Sequence, residues 1–429
     1  MKLEPEPVRG FRDLVEEEAE LLDFVTKKAE KLARNWSFER IYIPTVERFE
    51  LFAMKSGVEI ERTMYVFLDK AGRKVSLRPE ATASCVRAYL RLMRAKPKPI
   101  KLFTVVNVFR YDEPQFARYR EFYQADFEVF GSSSPFEDSE LITMLHDYYD
   151  ELNLKHKILL GSVKALRSVL GEEGIEEKDQ DLILHYVDKG LIERALELVE
   201  RKAKDPERAK EAIAKLSKME GDESVVEKGK ELLKELGYSY DFGDLEEVLS
   251  YLPEDVKDSL IVKLGFARGL AYYTGLIYEV KVEGFPVSVA GGGRYDALTE
   301  VYGWERVPAT GFAIGLDRTA LALSKKGIKV KEKPTVMIIP VVPEARGAAL
   351  SLQRELASLD VKSFLLTEQK SLKKALSFAS SLEVRVTIII GKKELSEGAV
   401  TVKDMLSGKQ LSCKRERALE CVSEALKTF

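Results

Sequence analysis

A chain of 429 residues is too long for one ordinary hydrophobic core, so two or three domains are expected. Hydrophobic residues make up 45% and charged residues 32%, as in soluble globular proteins, and a net charge of -3 gives no global attraction to nucleic acid. No stretch approaches the ~18 apolar residues needed to cross a membrane, the N-terminus MKLEPEPVRGFRDL lacks a signal peptide's apolar core, and Cys85, Cys413 and Cys421 are too few and scattered for a disulfide framework or, with the histidines, a zinc site; a cytoplasmic protein without a transition-metal site is expected.

In chain order, residues 14–34 carry apolar side chains at helical spacing with charges between them, which predicts a long amphipathic helix. RIYIP, ending at Pro44, predicts a strand, and MYVFLDKAGRKVSLRPE predicts two strands around a turn at Lys70 to Gly72. TASCVRAYLRLMR predicts a helix that the K-P-K-P at Lys96 to Pro99 stops. KLFTVVNVFR then leads through a polar and basic loop into REFYQADFEVFG, the pattern of a hairpin. With a side-chain period of two, Phe122, Gln124, Asp126 and Glu128 share one face while Phe127 and Val129 take the other. Carboxylates on a sheet face inside a domain are costly unless a cation, a hydrogen-bond donor or a ligand meets them. A capped helix over SPFEDSELITMLHDYYDELN and a strand at KHKILLGS follow.

From 163 to 253 the composition shifts to Lys- and Glu-rich helical segments such as IERALELVERKAK, which predicts a helical module inserted into a mixed α/β domain. A solvated helical ornament and an RNA-contacting element are both open for it. Strand patterns resume at LIVKLGFARGLAYYTGLIYEVKV, pass through FPVSVAGGGRYDAL, and reach ATGFAIGLDRTALALSKKG, a strand and glycine turn leading into a helix. KVKEKPTV around Pro334 is a charged linker, and residues 334–429 alternate strands and helices as a compact α/β unit with more Lys and Arg than Asp and Glu.

Three arginines, Arg110, Arg268 and Arg318, stand at strand ends or turns. Guanidinium groups bind phosphate oxygens with fixed geometry and stay charged when buried, so several converging on one sheet suit a polyphosphate. The run AGGGRYD permits close backbone approach to a ligand, although glycine runs more often serve turns. No Walker-type GxxxxGK and no GxGxxG after a strand occurs, so a bound ATP must be held by arginines.

Taken together these stretches resemble the class II aminoacyl-tRNA synthetases, and more closely the histidyl-tRNA synthetase family. The hairpin resembles the class's second motif and ATGFAIGLDRTALAL its third, while RIYIPTVERFELF occupies the place of the first, whose Pro44 implies a homodimer interface. ARGLAYYTG, AGGGRYDAL and RPEAT are similar to the histidine-specific signatures and to the family's RPEGT. The resemblance implies an α+β catalytic domain over residues 1–162 and 254–329 with an antiparallel sheet and flanking helices, an inserted helical module at 163–253, and an α/β anticodon-binding domain at 334–429. It implies formation of histidyl-adenylate from L-histidine and ATP with Mg2+, and transfer of histidine to tRNA(His). Arg110 would hold the ATP α-phosphate with Asp112 nearby, Arg318 the γ-phosphate, and Phe122 would stack on adenine with Arg318. Arg268 would stabilise charge developing at the α-phosphate. Glu80, Thr82 and Gln124 would receive the α-amino group and backbone of histidine. Glu128 and Tyr273 would hold the imidazole, with Tyr295 beside them, and Gln115 and Arg118 would meet the tRNA acceptor end. Two departures stand out: Ala271 replaces the Asp of RGLDYY, and Ala81 replaces the Gly of RPEGT. A histidine-sensing, catalytically silent paralogue and a class II enzyme for another amino acid are the competing readings.

Overall fold

A computed structural model describes residues 4–56, 62–267, 272–328, 330 and 335–427. Backbone contacts divide the chain into two compact units, Met1–Val330 and Lys331–Phe429.

The first unit is built on a nine-stranded sheet whose order is Glu39–Arg40, Ile100–Phe109, Glu121–Phe130, Ala309–Gly315, Ala290–Arg294, Leu276–Val282, His156–Ser162, Leu260–Lys263 and Glu220–Gly221. From Ile100–Phe109 to His156–Ser162 every neighbouring pair is antiparallel; Glu39–Arg40 pairs in parallel with Ile100–Phe109. The expected hairpin is therefore two ten-residue strands at the heart of the sheet. Its alternation sorts as the pattern predicts. Ala125, Phe127 and Val129 enter the main core, where Phe127 stacks on Phe312 at 4.5 Å and meets Phe103 at 4.7 Å. Phe127 is fully buried; truncating such a ring typically costs about 3–5 kcal/mol.

The helix Glu16–Asn35 covers this face because Leu21, Val25, Ala29 and Leu32 recur on one side, with acidic residues in its first turn and Arg34 in its last, as the helix dipole favours. The helix Thr82–Leu92 closes part of the opposite face: Cys85, Val86 and Tyr89 pack with Leu102 and Val108, and Tyr89 stacks on Phe130 at 4.7 Å. RIYIP forms strand pairing only at Glu39–Arg40; beyond it Ile41 still donates its N–H to the Phe103 carbonyl at 2.8 Å. The glycine run, for which a turn was the commoner expectation, is instead the central strand Ala290–Arg294.

Between Val163 and Tyr251 six helices follow one another: Val163–Glu172, Glu177–Asp188, Ile192–Lys202, Pro206–Leu216, Val225–Glu235 and Gly243–Tyr251. Their apolar stripes, including Val169, Ile183, Val199 and Ile213, belong to the same buried cluster as the helix Pro135–Glu151 and the sheet. A buried Glu173 ties them, accepting from the Arg208 side chain, the Tyr238 hydroxyl at 2.8 Å and the Asp205 N–H at 2.8 Å.

The second unit has a five-stranded sheet in the order Ser363–Leu365, Val336–Pro340, Val386–Ile390, Ala399–Asp404 and Gln410–Lys414, parallel across the first three and antiparallel beyond. The helices Arg346–Ser358, Leu372–Ser381 and Ala418–Lys427 accompany it. One correction falls here. Cys413 and Cys421, read as too scattered for a disulfide framework, form a single disulfide with Cα atoms 6.8 Å apart, because the final strand and the helix that follows it face each other; Cys85 is free and buried. Among the described residues no helix is long and apolar enough to cross a membrane.

Candidate active site

The face of the strand Glu121–Phe130 turned away from the main core carries Phe122, Gln124, Asp126 and Glu128. The first three line a cavity of about 420 Å³ whose wall also holds Glu80, Thr82, Arg110, Asp112, Arg118, Tyr272, Tyr273, Tyr295 and Arg318. The neighbouring strands make room for it by omitting side chains. A Cβ on Gly311, which pairs with Glu128, would sit 2.0 Å from the Glu128 Oε2 atom, and one on Gly292 would sit 2.2 Å from the Gly311 carbonyl. Glycine at these two positions is thus a requirement of the site rather than of a turn.

At one end of the cavity Tyr295 donates its hydroxyl to the buried Glu128 carboxylate. Burial, and then Glu128 itself, push the Tyr295 hydroxyl well above its ordinary pKa, so it remains a donor. The Tyr272 ring stands edge-on to Tyr295 at 6.0 Å and 4.8 Å from Tyr273, which is buried with Val163, Phe266 and Ile277. These groups form a mostly aromatic compartment with one carboxylate. Glu80 lies where the helix Thr82–Leu92 begins and caps it by accepting the Ala83 N–H at 3.1 Å and 3.3 Å. Asp126 is 2% exposed, and burial raises its pKa well above the usual carboxylate value, with Glu128 and Glu80 adding to the rise.

At the other end stand the arginines. Arg110 donates to the Pro79 carbonyl at 2.9 Å and places its guanidinium 5.4 Å from the Phe122 ring. Arg318, in the first turn of the helix Leu316–Lys325, donates to the Ala117 and Ser288 carbonyls at 3.1 Å and 2.9 Å. These bonds aim two fixed cations into one cavity while Glu279, held by the Ser288 hydroxyl at 2.7 Å, lines the same wall. The hairpin loop folds back on itself through backbone bonds between Gln115 and Arg118, and its Phe116 packs on Phe285 and Lys325. Arg268 and Ala271 lie outside the described residues.

Several residues that hold the site were not assigned a role from sequence. Arg78, in RPE, is buried and gives its guanidinium to the Ile43 and Asn107 carbonyls and the Asn107 side chain, so it braces strand ends. Arg12 pairs with Asp317 and lies 3.3 Å from the Tyr119 ring centroid, while the Arg120 backbone N–H donates to the Gly10 carbonyl; the N-terminal segment thereby straps the hairpin loop to the helix that carries Arg318. Asp188 and Lys189, at the end of an inserted helix, reach the cavity wall. Asp126 was placed on the correct face by its alternation, and its burial is the signal that marks it. Among the described residues, no cluster of three or more His, Cys, Asp or Glu is arranged to hold a metal ion.

Known proteins resemble this chain over both of its units. A family model described as histidyl-tRNA synthetase matches residues 10–319, and one described as anticodon binding domain matches residues 335–425. The histidine–tRNA ligase of Saccharolobus solfataricus is 38% identical over 425 residues, covering 98% of this chain and 99% of that relative. The one from Sulfolobus acidocaldarius is 39% identical over 421 residues, covering 96% and 97%. The histidyl-tRNA synthetase structure from Nostoc sp. PCC 7120 superposes over the whole of both chains with a TM-score of 0.81 at 22% identity.

Proposed function

Since this chain belongs to the histidyl-tRNA synthetase family and joins histidine to tRNA, we propose that its cavity divides the first step along the strand Glu121–Phe130, with ATP at the Phe122 end and the histidine ring at the Glu128 end. The observation that carries this division is the order of groups on the wall: Arg110, Arg318 and Phe122 at one end, Tyr272, Tyr273, Tyr295 and the Glu128 carboxylate at the other.

The chemistry needs no nucleophile from the protein. The carboxylate of histidine attacks the α-phosphorus of ATP, pyrophosphate leaves, and a ribose hydroxyl at the tRNA 3′ end then displaces AMP from the adenylate. Arg110 holds the α-phosphate with Asp112 beside it, Arg318 holds the γ-phosphate, and Phe122 supports adenine. Cations positioned before the reaction stabilise the charge that develops in it. Arg268 is assigned the same task at the α-phosphate. Glu80, Thr82 and Gln124 receive the backbone of histidine. Glu128 with Tyr273 and Tyr295 fixes the imidazole, so an apolar amino acid of similar size leaves this compartment's polar groups unpaired. Gln115 and Arg118 on the hairpin loop meet the acceptor end. Mg2+ accompanies ATP: this ion keeps most of its ligands as water and phosphate oxygens, and Glu279 and Asp112 are carboxylates on the same wall.

The chain acts as a homodimer in the cytoplasm. The exposed side chains of Tyr42, Val46, Phe67 and Leu68 around Pro44 supply an apolar surface for a second copy. Sedimentation should return twice the 48.5 kDa chain mass, and a monomer that retains full activity would remove this assignment. For the domains, residues 1–162 with 254–329 form the catalytic part, 163–253 the insertion and 334–429 the anticodon-binding part. Removal of residues 334–429 should spare histidine-dependent exchange of pyrophosphate into ATP and lower tRNA charging. Arg268→Ala should slow that exchange roughly 10²–10³-fold with an unchanged circular dichroism spectrum; an unchanged single-turnover rate refutes its role. The silent histidine-sensor reading is disfavoured by the identity to ligases and by the match of residues 335–425 to an anticodon binding domain.

A further inference from the structure

Among the described residues, two buried acceptors on one face of the strand Glu121–Phe130 have no hydrogen-bond partner: Gln124 Oε1 and Asp126 Oδ2. Both residues line the cavity. Leaving a buried acceptor unpaired forfeits the hydrogen bonds that water would supply, and the cost is greater where charge is involved. The neighbouring carboxylates are provided for differently. Glu80 takes the Ala83 N–H and Glu128 takes the Tyr295 hydroxyl. Among the described residues, Asp126 alone of these three carries a buried oxygen without a donor.

The position of that oxygen along the strand limits what completes it. Phe122 lies at the phosphate end beside Arg110, and Glu128 lies in the aromatic compartment. In histidine the α-carbon stands between the reacting carboxylate and the imidazole, so its ammonium falls at the middle of the strand, where Gln124 and Asp126 are. An ammonium has three donors and a full charge, whereas each imidazole nitrogen offers one donor at most.

The geometry points to Asp126 as the counter-ion of the substrate's α-ammonium, with Gln124 Oε1 as a second acceptor. This rests on the assignment of the cavity to histidine and adds a residue to it. Five titratable or charged groups face Asp126: Glu128 on its own strand, Glu80 and Cys85 at the start of the neighbouring helix, and Arg78 and Arg110 at strand ends. Burial together with the two glutamates holds its carboxyl protonated to higher pH than an ordinary aspartate, against the pull of the two arginines. An arriving ammonium favours the ionised form. The carboxyl proton then passes to solvent, and a carboxylate–ammonium pair remains.

The test is calorimetric titration of the full chain at a series of pH values from mildly acidic to neutral, in buffers of differing ionisation enthalpy, with three probes. L-histidine has ring, ammonium and carboxylate; histidinol keeps the ammonium and lacks the carboxylate; imidazolepropionate keeps the ring and lacks the ammonium. Histidine and histidinol should release protons beyond any change seen with imidazolepropionate. Asp126→Asn should abolish that excess and raise Kd for both amines about ten-fold or more, leaving imidazolepropionate within about two-fold. Equal weakening of all three probes assigns Asp126 to the ring and overturns the inference. So does wild-type histidine binding without excess proton release, a result that needs no variant to fold. If Asp126→Asn alone is silent while Glu128→Gln and Gln124→Ala weaken histidine, this inference falls and the cavity assignment stands; if all three are silent, the cavity assignment falls.

Discussion

At the end of the strand Ala290–Arg294, Arg294 gives two N–H groups to the Asp138 Oδ2 atom at 2.9 Å and 2.7 Å, pairs with Asp296 at 3.1 Å, and bonds the Ser132 and Ser134 carbonyls; the Thr310 hydroxyl takes the other Asp138 oxygen at 2.7 Å. Two strands away in the same sheet, the buried Asp126 and the half-buried Gln124 each keep, among the described residues, a buried acceptor without a donor. Both sets bury charge, and the completeness of their bonding separates them. A network satisfied from within is a part of the fold, and a network with acceptors left over is addressed to something that arrives.

That contrast predicts opposite consequences for similar substitutions, and the largest falls on the closed set. Asp138→Ala strands a guanidinium that is 6% exposed at residue level. Removing one partner of a buried pair typically costs about 3–5 kcal/mol, which lowers the melting temperature by roughly five degrees in a chain of this size. Calorimetry checks it, and a shift of only a degree or two would show that Asp296 and the carbonyls suffice for Arg294. Next comes Arg110→Ala on the open side, where the guanidinium gives one bond to Pro79 and otherwise faces the cavity. Pyrophosphate exchange should fall roughly 10²–10³-fold with little change in melting temperature; a parallel loss of stability would move Arg110 to the closed class. Smaller again is Glu128→Gln, which keeps an oxygen for the Tyr295 hydroxyl. The KM for histidine should rise about ten-fold, with the KM for ATP unchanged. Equal effects on both would misplace the ring.

How much of this the sequence showed follows from the range of the interactions. The hairpin was legible because a period of two is local: Gln124, Asp126 and Glu128 had to share a face once the strand was recognised. Motif resemblance grouped Arg110, Phe122 and Arg318 in one site, and all three stand on one cavity wall. Which acceptors find donors was not legible, because the donors come from remote chain. Asp138 and Arg294 are 156 residues apart, and Arg12 meets Asp317 across 305. The glycine run left close approach and a turn both open because its cause is a neighbouring strand, Gly292 against the Gly311 carbonyl, and local preference says nothing about that neighbour. Cys413 and Cys421 looked too scattered for a disulfide framework because only the packing of the last helix on its strand brings them together.

The smallest effect concerns pH, and it places Asp126 against a half-buried base in the same unit. His156 packs its ring 5.1 Å from His146 and 5.6 Å from Tyr149, has its Nδ1 2.8 Å from the Leu154 carbonyl, and leaves Nε2 without a partner. Burial pushes its pKa below the ordinary value, and His146 adds to the fall. A histidine whose folded pKa is depressed binds fewer protons folded than unfolded, so its stability contribution is present above about pH 6.5 and is lost as the pH falls through that value, levelling off below the folded pKa. Asp126 runs the other way. Its folded pKa is raised, so its contribution is present below the ordinary aspartate value and is lost as the pH rises through the folded pKa. In urea titrations without histidine, His156→Asn should therefore flatten the acid side of the stability profile by about 1 kcal/mol or less, whereas Asp126→Asn should raise the alkaline side and leave the acid side alone. Adding histidine should raise the alkaline side of the wild type and do little for Asp126→Asn. If instead Asp126→Asn destabilises at every pH, as Asp138→Ala is expected to do, the two buried sets are of one kind and the distinction between closed and open bonding fails for this sheet.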